Sequence, residues 1–449
     1  MAYDGGKTYK DVAAALGELP NFYPNATSIA EFRPNSLTIH FHYLNRESYA
    51  EVGSGKTNSA DRPKVEVVAH ELAHWSDQVS SLWGQRYLTG LFDAYHAMRA
   101  GREELFKDVV TLYDEQRRIL FPRYYRVVAD APRLHSHKMP WRIDFSAGQE
   151  FDAYGAIDET RPIYFVAFSD NENGTRVARQ PITVGSLLET TATWAELLTG
   201  FGIISSLGHD EQVVERALWM KERLTALYQP DLTVYTAPVH MLAKFTGVSD
   251  LLWSYERGAV LANIALNMTK VHFDSLRHPD EFAPFGSRRR AFAIAQNRGY
   301  AFAVLARHAS KVDTEKGALT WASEVLSRAG LPEWPAMLHA SYTGLELLGR
   351  GLPVRTPLDE VRDYLLEIGR KRFLGRSDAL HDGGLFDPLK MGLEPHPPMF
   401  DSNGQLFHLG KQGLDPKRFD PEAMHLAELR FSDFTSNLLQ GCRGVRVAS

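Results

Sequence analysis

From about residue 210 to the C-terminal end, apolar residues recur at helical spacing in one stretch after another. That period puts apolar side chains on one face of each helix, and each face must find a partner to bury it. The pattern predicts helices over roughly 210–228, 236–268, 290–310, 316–329, 335–350, 357–373 and 416–440. The segment Gly375 to Asp415, dense in Gly, Pro and Asp, reads as an irregular excursion over the surface. The C-terminal half is therefore expected to be all-helical.

The first half is mixed. "NSLTIHFHYL" (Asn35–Leu44) alternates and is rich in β-formers, which predicts a strand. A polar loop follows, and from Lys64 the period becomes helical, with Val65, Val68, Leu72, Val79 and Leu82 at turn-like spacings; the helical pattern resumes from Tyr87 to about Leu120. Phe121 to Pro181 is richer in Pro, Gly and aromatics, and "RPIYFVAFSDNENGTRVARQPITV" reads as a hairpin turning at Asn173-Gly174. "VGSLLETTATWAELLTGF" then begins another helix. The expected class is α+β, mainly helical, divided into residues 1–205 and a helical domain over 206–449. No repeat of solenoid period is present.

Composition narrows the function. The 449 residues carry a net charge of −5, which offers no surface for nucleic acid, and the triplet Arg288-Arg289-Arg290 is too short to change that. The single cysteine, Cys442, excludes an intrachain disulfide and a thiolate zinc knuckle. The first twenty residues lack the apolar core of a secretory signal, and the longest apolar run, "LLTGFGIISSLG" from Leu197, is too short to span a bilayer. The expectation is a soluble, cytoplasmic protein with no membrane partner.

One helix breaks the apolar rule. In "VEVVAHELAHWSDQVSSLWGQ" (Val65–Gln85), His70 and His74 sit four apart, so at about 3.6 residues per turn they point the same way and can grip one metal ion. Glu71 lies between them around the helix, within reach of a water on that metal. Two neutral nitrogen ligands, an open position and a carboxylate base are the parts needed to ionise water near neutral pH and to pass its proton to a leaving amine.

"HELAH" resembles the active-site helix of the zinc metallopeptidases called zincins. The resemblance rests on two short segments. It implies Zn2+ as cofactor, His70 and His74 as ligands, Glu71 as general base, and a peptide or protein substrate. It also implies a substrate-binding edge strand before the helix, the place that Leu37–Leu44 would take, and a helical C-terminal region walling the cleft. A third ligand is needed. Neither Gly nor His stands where the three-histidine zincins require them after His74, so the likeness is to gluzincins, which take a Glu from a second helix. Glu189, with the small Ala192 three residues on, fits that pattern; Glu196, two turns further along, and Glu103 or Glu104, at a spacing some gluzincins use, are the alternatives.

Other features have weaker claims. "GSGKT" (Gly53–Thr57) lacks the first glycine and the leading strand of a phosphate-binding loop. His40 and His42 alternate on the expected strand, where they would share a face, wet or metal-binding, and His135 and His137 repeat the spacing in a loop-like region. Asp77 could orient a ligating imidazole or pair with a surface arginine. Tyr154, Tyr235 and His240 are oxyanion-stabilising candidates by residue type, and Cys442 could reach back to hold the metal latent. Two other functions compete: a di-iron carboxylate oxidoreductase pairing Glu71-x-x-His74 with Glu422-x-x-His425, and a non-catalytic helical interaction protein with a structural metal site.

Overall fold

The computed structural model describes residues 29–44, 60–119, 125–128, 140–151, 156–378, 385–388, 395–407 and 413–441. In chain order the elements are β1 (Ala30–Arg33), β2 (Thr38–Phe41), α1 (Arg62–Ser80), α2 (Leu82–Ala100), α3 (Phe106–Ile119), β3 (Val127–Val128), β4 (Trp141–Phe151), β5 (Ile157–Asp170), β6 (Arg176–Pro181), α4 (Val184–Ser205), α5 (His209–Leu227), α6 (Thr233–Thr246), α7 (Leu251–Asn267), α8 (Lys270–Ser275), α9 (Gly286–Ile294), α10 (Arg298–Ala309), α11 (Ala318–Arg328), α12 (Trp334–Gly349), α13 (Pro357–Asp378), β7 (Met399–Phe400), β8 (Leu406–Phe407) and α14 (Pro421–Gly441). The class is α+β, mainly helical.

Several breaks fall where local chemistry forces them. α1 and α2 form an almost continuous run rather than separating before Tyr87. The chain turns only at Ser81, which leaves helical geometry at ψ 155° while its hydroxyl accepts from Gly84 N–H, a side-chain cap. The long helix expected over 236–268 is two helices, because Gly247 takes φ 75° and Asp250 then caps α7 by accepting from Trp253 N–H. The stretch 290–310 is likewise divided at Gln296, φ 46°, with Asn297 capping α10.

Among the described residues the strands form two four-stranded sheets, ordered β1-β2-β7-β8 and β3-β6-β5-β4. β5 and β6 form the hairpin expected at Asn173-Gly174, with Gly174 at φ 72°. β4, a strand not among those expected, pairs antiparallel along β5 with Ile143, Phe145 and Ala147 packed toward the core and Arg142, Asp144 and Ser146 exposed. The strand expected at Asn35–Leu44 is β2, but it lies inside its sheet. The edge is β1, paired antiparallel with β2, and β7 closes the other side in parallel. So among the described residues the C-terminal half is helical apart from β7 and β8, two short strands inside the expected surface excursion that complete an N-terminal sheet.

The helices bury two main cores. One gathers the β4–β6 sheet with α6, α7 and α10 to α12; the other gathers β1, β2, α1 to α3, α13 and α14. α4 runs between them and feeds both, Leu187 into the first and Leu188, Ala192 and Ala195 into the second. Each core draws side chains from both sides of residue 205. Among the described residues no helix is long and apolar enough to cross a membrane.

α13 crosses the corner between α1 and α2 at backbone distance. A Cβ on Gly369 would stand 1.8 Å from the Val79 carbonyl oxygen and 2.4 Å from Gln85 Nε2, which is itself fixed by donating to Val79 O and Leu366 O. Neither neighbour can yield without moving a helix. Gly369→Ala is therefore expected to lower the unfolding free energy by about 1–3 kcal/mol, as overpacking does, read by urea denaturation.

Candidate metal centre

α1 is buried almost all round, so its polar residues are enclosed rather than spread over a wet face. His74, Glu71 and Asp77 are buried, and His70 is nearly so. α4 packs along this helix. Its small Ala192 is fully buried, and Thr191 ties the pair by donating to Asp77 Oδ2 at 2.6 Å. Asp77 is thus an interhelix acceptor, not half of a surface ion pair.

The packing delivers Glu189 to the two histidines. Its Oε2 lies 3.3 Å from His70 Nε2 and 3.5 Å from His74 Nε2, and the two ring nitrogens are 3.1 Å apart. Four-coordinate donors about 2.0–2.1 Å from an ion lie roughly 3.3–3.4 Å from one another, so the triangle has the right edges for one metal. Glu189 is 0% exposed, and its nearest cationic neighbours are the two imidazoles, farther off than an ordinary charge-assisted hydrogen bond. A buried carboxylate is rarely left that way unless a cation completes it. Among the described residues this is the single group of three or more such side chains placed to hold a metal.

The expected alternatives lie elsewhere. Glu103 and Glu104 sit exposed in a short 3-10 turn, Glu104 paired with Arg102. Glu196 is not in the triangle but behind it, with Oε2 3.1 Å from His70 Nδ1. A carboxylate at that nitrogen places the proton on Nδ1 and turns the Nε2 lone pair toward Glu189 and His74. Glu422 and His425, on α14, are outside the cluster.

Electrostatics follow from burial and these neighbours. Burial raises the Glu71 carboxyl above its usual range and Glu189 adds to the rise, against the opposing pull of His70, His74 and the Phe32 N–H that the carboxylate accepts from. Glu189 is also penalised by burial, but His74 and His70 outweigh that and hold it below the usual range. Burial works against Glu196 too, yet Arg223 and then His70 bring it down to about 2. Burial alone would depress His70; Glu189 and Glu196 instead raise it well above an ordinary histidine. In chemical terms the cluster is a place prepared for positive charge, a proton or a metal cation.

A cavity of about 240 Å³ opens onto the triangle. Glu71, Glu31 and Ala30 are among its lining residues, so β1 rather than β2 is the strand at the site, and Leu197, Leu227, Leu232 and Leu251 give the lining an apolar part. Tyr235 enters from the first turn of α6, its ring 6.2 Å from that of His70. Burial and the carboxylates Glu189, Glu71 and Glu196 push its hydroxyl well above the ordinary value, so it stays a proton donor.

His40 is buried in the β1–β2 sheet, stacked on Phe400 at 4.8 Å with Nε2 3.0 Å from Thr38 Oγ1, and is not on a wet face. Tyr154, His135, His137, Gly53–Thr57 and Cys442 lie outside the described residues. Sequence reasoning missed Arg223, Glu66, Glu31 and the Phe32 N–H. Arg62 and Glu66 have the spacing of an ordinary helix-surface pair, and Arg223 that of one more charge on a wet helix; nothing in the sequence marks them as buried together. The chain matches no known family, no curated protein and no solved structure.

His240 is a core histidine rather than a site residue. It packs against Trp141, Phe168 and Tyr228 and bonds Leu227 O through Nε2 at 2.9 Å. Burial lowers it from 6.5 to about 4. With the folded value below the unfolded one, its contribution is complete above pH 6.5, falls away as pH drops from 6.5 toward about 4, and is fully lost below that. The loss is about 3 kcal/mol in all, and urea unfolding at pH 7 and at pH 4.5 should show a smaller pH-dependent drop in His240→Gln than in the wild type.

Proposed function

We propose that this chain is a zinc-dependent metallopeptidase, with His70, His74 and Glu189 holding the ion and Glu71 as general base. The observation that carries the reading is the fully buried Glu189 carboxylate closing a triangle of 3.1, 3.3 and 3.5 Å with two imidazole nitrogens. Nitrogen and carboxylate donors in a set of three suit zinc with an open position. A purely structural site would not need Glu71 at the mouth of the same cavity. When bound, zinc would supply Lewis acidity toward water and a peptide carbonyl.

The chain's own residues account for the remainder. The Phe32 N–H orients the Glu71 carboxylate, and the raised value of Glu71 brings it closer to the pH at which a base can both take and return a proton. Tyr235 offers a hydroxyl donor for a developing oxyanion. Leu197, Leu227, Leu232 and Leu251 offer apolar surface for a substrate side chain.

Elemental analysis of purified protein should find about one zinc per chain, absent from His70→Ala and Glu189→Ala. Glu71→Gln should keep the metal and lose at least about 100-fold in cleavage of a mixed peptide library. Two irons per chain, or full cleavage by Glu71→Gln, would remove the reading.

A further inference from the structure

α5 is a surface helix with a thin attachment. Of its residues only Trp219 is buried, while Val213, Val214 and Leu218 are each 58% exposed. Yet α5 walls the cavity with Arg223, Ala226 and Leu227. It is fastened by a small apolar cluster, in which Trp219, Met220 and Leu227 pack with Leu197, Ile204 and Val239, and by a polar chain that ends at the metal centre. Trp219 Nε1 donates to Glu66 Oε1 at 3.0 Å, and Arg223 Nη2 donates to Glu66 Oε2 at 2.6 Å. Arg62 of α1 holds the same carboxylate at 2.9 Å. The other arm of Arg223, Nη1, donates to Glu196 Oε1, and the second oxygen of Glu196 is the acceptor for His70 Nδ1.

The junction leaves no spare room. Gly200, in the interior of α4, lies so close that a Cβ there would stand 2.0 Å from Glu66 Oε1 and 2.9 Å from Trp219 Nε1. A glycine is unfavourable inside a helix relative to alanine, and here it is what lets three helices meet on one carboxylate.

We propose that Arg223 is a positioning residue: from α5 it fixes Glu196 against His70 Nδ1, commits His70 Nε2 to the metal, and so makes the docking of α5 a determinant of metal affinity. The guanidinium suits this task because its planar fork serves two carboxylates at once, and a lysine cannot reproduce it. Without it, Glu196 keeps a single partner and can rotate away from the imidazole. The proposal rests on the metal reading above and adds to it that the wall of the cavity and the ligand field share one side chain.

The test is zinc affinity by chelator competition at one pH for wild type, Arg223→Met, Arg223→Lys and His70→Ala. Far-UV circular dichroism checks the fold, and the visible spectrum of cobalt-substituted protein reports ligand geometry. Arg223→Met is expected to bind zinc about 10–100-fold more weakly, the usual effect of removing a group that orients a ligand, with an altered cobalt spectrum. Arg223→Lys should fall between it and wild type, and decides the matter if Arg223→Met does not fold. Zinc affinity and cobalt spectrum unchanged in folded Arg223 variants, with binding lost in His70→Ala, would overturn the proposal alone. The same holds if the variants only raise KM for peptides. No zinc uptake by wild type would overturn the metal reading and this inference with it.

Discussion

The structure depends on one costly placement, a carboxylate in the dry contact between two helices. Glu189 is fully enclosed where α4 lies on α1. Leaving such a group uncompensated costs several kcal/mol, far more than a surface ion pair returns. The fold tolerates it because two imidazoles face it, because small side chains such as Ala192 let the helices approach, and because the Thr191–Asp77 bond fixes their register. The site is thus a product of helix packing, and the same contact that builds the core brings His70, His74 and Glu189 together.

From that contact, order spreads outward in two directions. Toward the strands, β1 stands at the edge of its sheet and hands a backbone N–H to Glu71, so the carboxylate next to the triangle is oriented by main chain rather than by a mobile side chain. Toward the surface, Glu196, Arg223, Glu66 and Arg62 alternate in sign, each charge set against the next. Alternation is what makes a partly buried run of charges affordable, since every member has an opposite neighbour at hydrogen-bond distance. One direction orients the Glu71 carboxylate and the other the His70 imidazole.

Much of this was legible in the chain. The helical period gave α5, α11, α12 and α14 to within a few residues, Asn173-Gly174 marked its hairpin, and the spacing of His70, Glu71 and His74 singled out α1. Glu189 was distinguishable from Glu103 and Glu104 because its neighbours are apolar and small while theirs are charged. Misreadings came where local pattern is silent about neighbours. β1 is only four residues long and β7 two, too short for alternation to register, and β7 pairs with β2 across most of the chain. Gly247 and Gln296 broke helices whose apolar period continues through them.

By itself, then, the sequence determined which residues could bind a metal, because their spacing on one helix is a property of local geometry. It also determined the mainly helical class, which follows from period. Only the tertiary structure decided which glutamate meets the histidines, which strand borders the cavity, and which charges of α5 face inward. Those are contacts between residues distant in the chain, and they are settled by how closely helices can pack. A side chain such as Arg223 has the same local signature on a wet face or at the junction of three helices.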